Sequence, residues 1–89
     1  MRIKKGFVLR EVCGEYAIVG EGLGAVNFGK LLALNETAAW LWKEALEQGD
    51  FTAESLAEKL CEEYDVEPAV ARKDVEAILT EWQNVEVVE

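Results

Sequence analysis

Cys13 and Cys61 are the strongest nucleophiles in this 89-residue chain, and neither has the company that thiol chemistry needs. A thiol attacks as its thiolate, which is usually generated by a neighbouring imidazole, and the sequence contains no histidine. Zinc binding fails on the same count, since there is no C-x-x-C spacing and no imidazole to complete a ligand set. The residues therefore read as those of a non-enzyme without a metal or other cofactor, and the two thiols as structural. What remains is recognition through backbone groups, apolar side chains and surface charge.

The charge is unevenly spread within a net of −9. Residues 1–34 hold five cations (Arg2, Lys4, Lys5, Arg10 and Lys30) against three carboxylates, a net of +2, whereas residues 35–89 hold four against fifteen, a net of −11. Such a field repels nucleic-acid phosphates and anionic membrane over most of the surface and steers cationic partners to the acidic part. No apolar run approaches the roughly 20 residues of a membrane span, and M-R-I-K-K-G-F lacks the apolar stretch of a secretory signal, so a cytoplasmic location is expected. The length predicts one domain over residues 1–89 with a thin core, because a chain this short buries only about 60–65% of its unfolded surface.

These features must be positioned by a few short elements. F-V-L-R-E-V and E-Y-A-I-V are rich in β-branched and aromatic residues and are joined by Cys13-Gly14, which predicts a hairpin. After the glycine-rich turn G-E-G-L-G, the segment from Ala25 to Leu34 alternates Val26, Phe28, Leu32 and Leu34 against Asn27, Gly29, Leu31 and Ala33, as a third strand would. Short connections make this a meander with strand two central and strand three at an edge.

From Asn35 the period becomes helical. In L-N-E-T-A-A-W-L-W, Asn35 is a good N-cap, and Ala38, Leu41, Trp42 and Ala45 recur as a buried stripe. Trp40 points off that stripe and needs a second neighbour, although both indoles read as structural. This helix is expected to run to about Gln48 and to end at Gly49 in a left-handed conformation. A second helix follows Thr52, which suits an N-cap, with Leu56, Ala57, Leu60 and Tyr64 on one face. A third opens at Glu67-Pro68 with Ala71, Val75, Ile78, Leu79 and Trp82 at helical spacing. N-V-E-V-V at the end has the composition of a short final strand. The fold class is thus α+β: a three-stranded antiparallel N-terminal meander followed by three helices, in a winged helix-turn-helix arrangement.

That architecture raises the alternative of a winged-helix DNA-binding or transcription-regulatory adaptor, and a structural subunit of an enzyme complex is a third reading. A recognition helix needs basic and amide side chains, but Glu67 to Trp82 offers Arg72 and Lys73 against Glu67, Asp74, Glu76 and Glu81. No nucleic-acid partner is expected.

The meander followed by L-N-E-T-A-A-W-L-W, the helix ending near E-E-Y-D-V, and A-R-K-D-V-E-A-I-L resembles the PqqD family, named for pyrroloquinoline quinone biosynthesis protein D. The resemblance implies a small winged-helix recognition element for the leader segment of a ribosomally made precursor peptide. Such a protein presents the leader to a modifying enzyme, often a radical SAM protein, and is not itself the catalyst. It further implies that the leader adds as a strand beside strand three and rests against helix three. By position, the peptide-binding residues would be Val26, Asn27, Phe28, Gly29, Lys30 and Leu31 on the edge, with Val70, Asp74, Ala77 and Ile78 on the helix wall. The physics accommodates this: an edge strand presents unpaired N–H and C=O groups that a guest strand satisfies, while side-chain pockets select its sequence. Gly29 admits close approach or a bulge, Leu31 offers an apolar contact, and Val70 and Ile78 suit core packing equally well. The same edge opens a route to a homodimer.

Overall fold

The computed structural model describes residues 1–20 and 32–89. Three strands and three helices follow one another: β1 (Phe7–Val12), β2 (Glu15–Gly20), β3 (Leu32–Leu34), α1 (Glu36–Gln48), α2 (Ala53–Tyr64) and α3 (Pro68–Asn84). The sheet order is β1-β2-β3, with both pairings antiparallel.

β1 and β2 are joined by the two residues Cys13 and Gly14, both at positive φ (54° and 80°), so that Val12 faces Glu15 and Phe7 faces Gly20. Positive φ at both central positions gives the turn the twist that antiparallel strands need. Leu9 lies opposite Ile18 and Ile18 opposite Leu32, which puts one apolar row across the sheet toward the helices. Ile18 and Leu32 are buried and Phe7, Leu9 and Leu34 pack against the core. Tyr16, opposite Leu34, extends that row, and the Lys43 ammonium sits 5.9 Å from its ring centre.

α1 begins where the sequence predicts. Asn35 is extended, its Oδ1 accepts from the Ala38 N–H at 2.8 Å, and Ala38, Leu41, Trp42 and Ala45 are buried together with Ala39. The end of α1 departs from expectation. Gly49 has positive φ (77°) but ψ of −79°, and Asp50 N–H donates to Gln48 O at 3.0 Å, so the helix closes in a γ-turn and not in the left-handed region.

α2 is capped reciprocally: Thr52 Oγ1 accepts from Ser55 N–H at 3.0 Å while Ser55 Oγ accepts from Thr52 N–H at 2.9 Å. Leu56, Ala57 and Leu60 are buried, but Tyr64, expected on the same face, is 43% exposed at the helix end. Asp65 then takes the left-handed conformation (φ 40°, ψ 50°) that turns the chain toward Pro68 at the start of α3. α3 buries Ala71, Val75, Leu79 and Trp82.

The two chain ends meet. Arg2 and Glu89 exchange backbone hydrogen bonds at 2.9 and 2.7 Å, and Lys4 N–H donates to Val87 O, so the final V-E-V-V stretch pairs with residues 2–4 through an Ile3–Val88 bridge. Phe51, in the connection between α1 and α2, is fully buried, and its N–H donates to Met1 O at 2.8 Å. Beside it the Met1 ammonium donates to Asp50 Oδ1 at 3.0 Å. That hydrogen bond, with the ammonium charge, holds the Asp50 carboxyl below its ordinary value. Among the described residues no helix is long and apolar enough to cross a membrane.

Candidate peptide-binding site

Among the described strands β3 is terminal in the sheet. Its three residues pair with β2 (Leu32 with Ile18, Ala33 with Ala17, Leu34 with Tyr16), and no described strand lies on its other side. Successive N–H groups along a strand point to opposite edges, so one parity of Leu32, Ala33 and Leu34 turns its donors away from β2. The strand is held at both flanks of its pleat: Leu32 is buried, Leu34 is half-buried, and Ala33 is exposed on the opposite face. Asn35 follows at once as the α1 cap, which fixes where β3 ends. Val26, Asn27, Phe28, Gly29, Lys30 and Leu31, the edge positions expected from the sequence, lie outside the described residues.

The expected helix wall is a continuous face of α3. At about 100° per residue, Val70, Asp74, Ala77 and Ile78 span an arc of about 100° beside the buried stripe of Ala71, Val75, Leu79 and Trp82. Val70 is 47% exposed, and Asp74 and Ala77 are exposed. Ile78 is half-buried and packs against the core. The two readings that the sequence left equal for Val70 and Ile78 therefore separate: Val70 is a surface group, and Ile78 joins the surface to the interior.

The remaining candidate groups lie elsewhere. Cys13 is exposed in the hairpin turn and Cys61 is half-buried on α2; both are free thiols. Among the described residues no three His, Cys, Asp or Glu side chains gather as a metal site would require. Trp42 is fully buried against Trp82, while Trp40 finds its second neighbour in Tyr64, with ring centres 5.5 Å apart and nearly perpendicular planes. Tyr64 at the end of its stripe was the signal for that contact. Phe51 was missed by helical periodicity because it stands between helices, although a large aromatic in a short polar connection is itself a sign of burial.

A three-stranded antiparallel sheet followed by three packed helices defines a winged-helix-like α+β protein. Residues 10–88 match the family model described as Coenzyme PQQ synthesis protein D (PqqD), and the chain belongs to that family. Two solved structures share the fold. One, described as TbiB1 in complex with the TbiA(beta) leader peptide, superposes with a TM-score of 0.77 at 20% identity over 100% of this chain and 95% of that chain. The other, lasso peptide synthetase B1 complexed with the leader peptide, gives 0.69 at 22% identity over 93% and 89%. No curated protein matches the sequence.

Proposed function

We propose that the chain binds the leader segment of a ribosomally synthesised precursor peptide as an added strand along β3 and presents it to a separate modifying enzyme. The observation that carries this reading is the terminal position of β3, whose outer edge no described strand covers. Family membership supports it, as does a fold shared with two proteins solved in complex with leader peptides. The exposed face of Val70, Asp74 and Ala77 supplies the second wall.

In this role the chain supplies backbone pairing and side-chain selection, and the covalent chemistry belongs to its partner. A radical SAM protein is the partner class that the family resemblance suggests. The site of action is the cytoplasm, where a ribosomal precursor is first available. Each main-chain hydrogen bond contributes only about 0.5–1.5 kcal/mol net, and ordering a flexible peptide costs several. A handful of bonds with one or two apolar anchors gives an affinity near micromolar. Titration calorimetry with the leader of its cognate precursor tests the reading: one-to-one binding in that range supports it, and no heat at millimolar peptide overturns it. An oligomeric state that falls from dimer to monomer as leader is added would show that a strand-paired homodimer uses the same edge.

A further inference from the structure

A groove on the far side of α3 has chemistry of its own. Glu54, Glu58 and Glu62 follow one another at four-residue spacing along α2, so their carboxylates stand about 6 Å apart along the helix axis. They rim a concavity of about 490 Å³ between α2 and the start of α3, with Ala57, Cys61 and Pro68 between the charges. Arg72 also lines the groove, with its Nε 3.8 Å from Glu76 Oε1, and against the three carboxylates it leaves the lining at a net charge of −2. Pro68 and Arg72 lie about 120° or more around α3 from the exposed residues Val70, Asp74 and Ala77, with the buried stripe of Ala71, Val75 and Leu79 between them and the half-buried Ile78 at the margin of that stripe. The groove and the peptide face can therefore be occupied together.

We infer that this groove docks a basic amphipathic helix of a protein partner, with its apolar side on Ala57, Cys61 and Pro68 and its Lys or Arg side chains against Glu54, Glu58 and Glu62. A helix fits because cations four residues apart repeat at the same roughly 6 Å as the carboxylates, and because a groove between two helices takes the ridge of a third. Nucleic acid is repelled by the rim. The helices of a second copy of this chain do not fit either, since α1, α2 and α3 carry net charges of −2, −3 and −1. Identifying the partner as the modifying enzyme rests on the leader-binding reading; the chemistry of the groove does not.

The test uses the whole protein without leader and a synthetic 14-residue peptide of Leu and Lys at amphipathic helical spacing, beside a scrambled peptide of the same composition. Cys61 in the groove and exposed Cys13 in the hairpin serve as probe and internal reference for iodoacetamide alkylation. The helical peptide at saturation is expected to slow Cys61 at least fivefold and leave Cys13 unchanged, and the scrambled peptide to do neither. Glu58→Lys with Glu62→Lys should weaken binding at least tenfold. The same charge change at exposed Glu11 and Glu47 should weaken it less than twofold, with circular dichroism confirming that each variant is folded. If the lysine pair fails to fold, Glu58→Gln with Glu62→Gln replaces it and should weaken binding at least threefold. Equal protection by the scrambled peptide, equal effects of the two charge-reversal pairs, or equal protection of both thiols would overturn the inference. None of these outcomes depends on whether leader binds at β3.

Discussion

The indoles of Trp42 and Trp82 meet edge to face, with ring centres 5.1 Å apart and planes at 77°, and both are withdrawn from water. The contact ties α1 to α3 through the centre of a thin core, where two large rings replace many smaller groups. Trp42 Nε1 is buried and has no acceptor among the described residues. Removing either ring opens a cavity, so Trp82→Ala should destabilise by about 3–5 kcal/mol in denaturant melts. Trp42→Phe should lose less than about 2 kcal/mol, because it also removes a buried donor whose isolation costs about 1–3 kcal/mol.

The hairpin turn is strained at one residue and suited at the next. Cys13 holds φ of 54°, a region that disfavours a side chain, whereas glycine at position 14 accepts its φ of 80° freely. Cys13→Asn gives the turn its preferred chemistry and should raise stability by about 0.5–1 kcal/mol. Gly14→Ala should lower it by about 1–2 kcal/mol. Beyond Gly14 itself and its two chain neighbours no described heavy atom lies within 4 Å of where the added Cβ would stand, so thermal melts would read the backbone alone.

Two caps can be tested separately. Asn35→Ala removes the acceptor for the Ala38 N–H and should lower stability by about 0.5–2 kcal/mol. Thr52→Ala breaks one half of the reciprocal pair with Ser55 and should fall in the same range. A midpoint in urea unchanged by Asn35→Ala would mean that α1 does not depend on that cap.

These caps and the Cys13-Gly14 turn were legible in the sequence because each is a local matter: one side chain or one backbone preference within four residues. The buried stripes of α1 and α3 were legible for the same reason, since period selects Ala38, Leu41, Trp42 and Ala45 in one and Ala71, Val75, Ile78, Leu79 and Trp82 in the other, of which Ile78 alone is only half-buried. Contacts across the chain were not. The terminal V-E-V-V stretch reads as strand-like, but nothing local to it says that Ile3 will lie opposite Val88. The γ-turn at Gly49 also escaped, because glycine announces a positive φ without fixing ψ. Of the candidate site, the position of β3 at the sheet edge followed from strand order. The exposure of Val70 against the partial burial of Ile78 needed the packing of α3 to decide it.

That difference yields a prediction about binding. Val70→Asp places a charge on an exposed position and should change stability by no more than about 0.5 kcal/mol. If the leader lies on this face, the same change removes an apolar contact and should weaken leader binding at least fivefold. Ile78→Asp, by contrast, should destabilise the fold, because Ile78 packs against the core. Calorimetry on Val70→Asp, with its melt alongside, separates contact from packing.

Amide hydrogen exchange across Leu32–Leu34, with and without the cognate precursor's leader, tests strand addition most directly. In the free protein the N–H groups bonded to β2 should exchange slowly and those of the other parity quickly, as either Ala33 alone or Leu32 with Leu34. Saturating leader should slow the fast set by at least tenfold and leave the slow set, and the outer edge of β1, as they were. Unchanged exchange at all three residues, with new protection along Phe7–Val12 instead, would contradict the account and move the guest strand to the opposite side of the sheet.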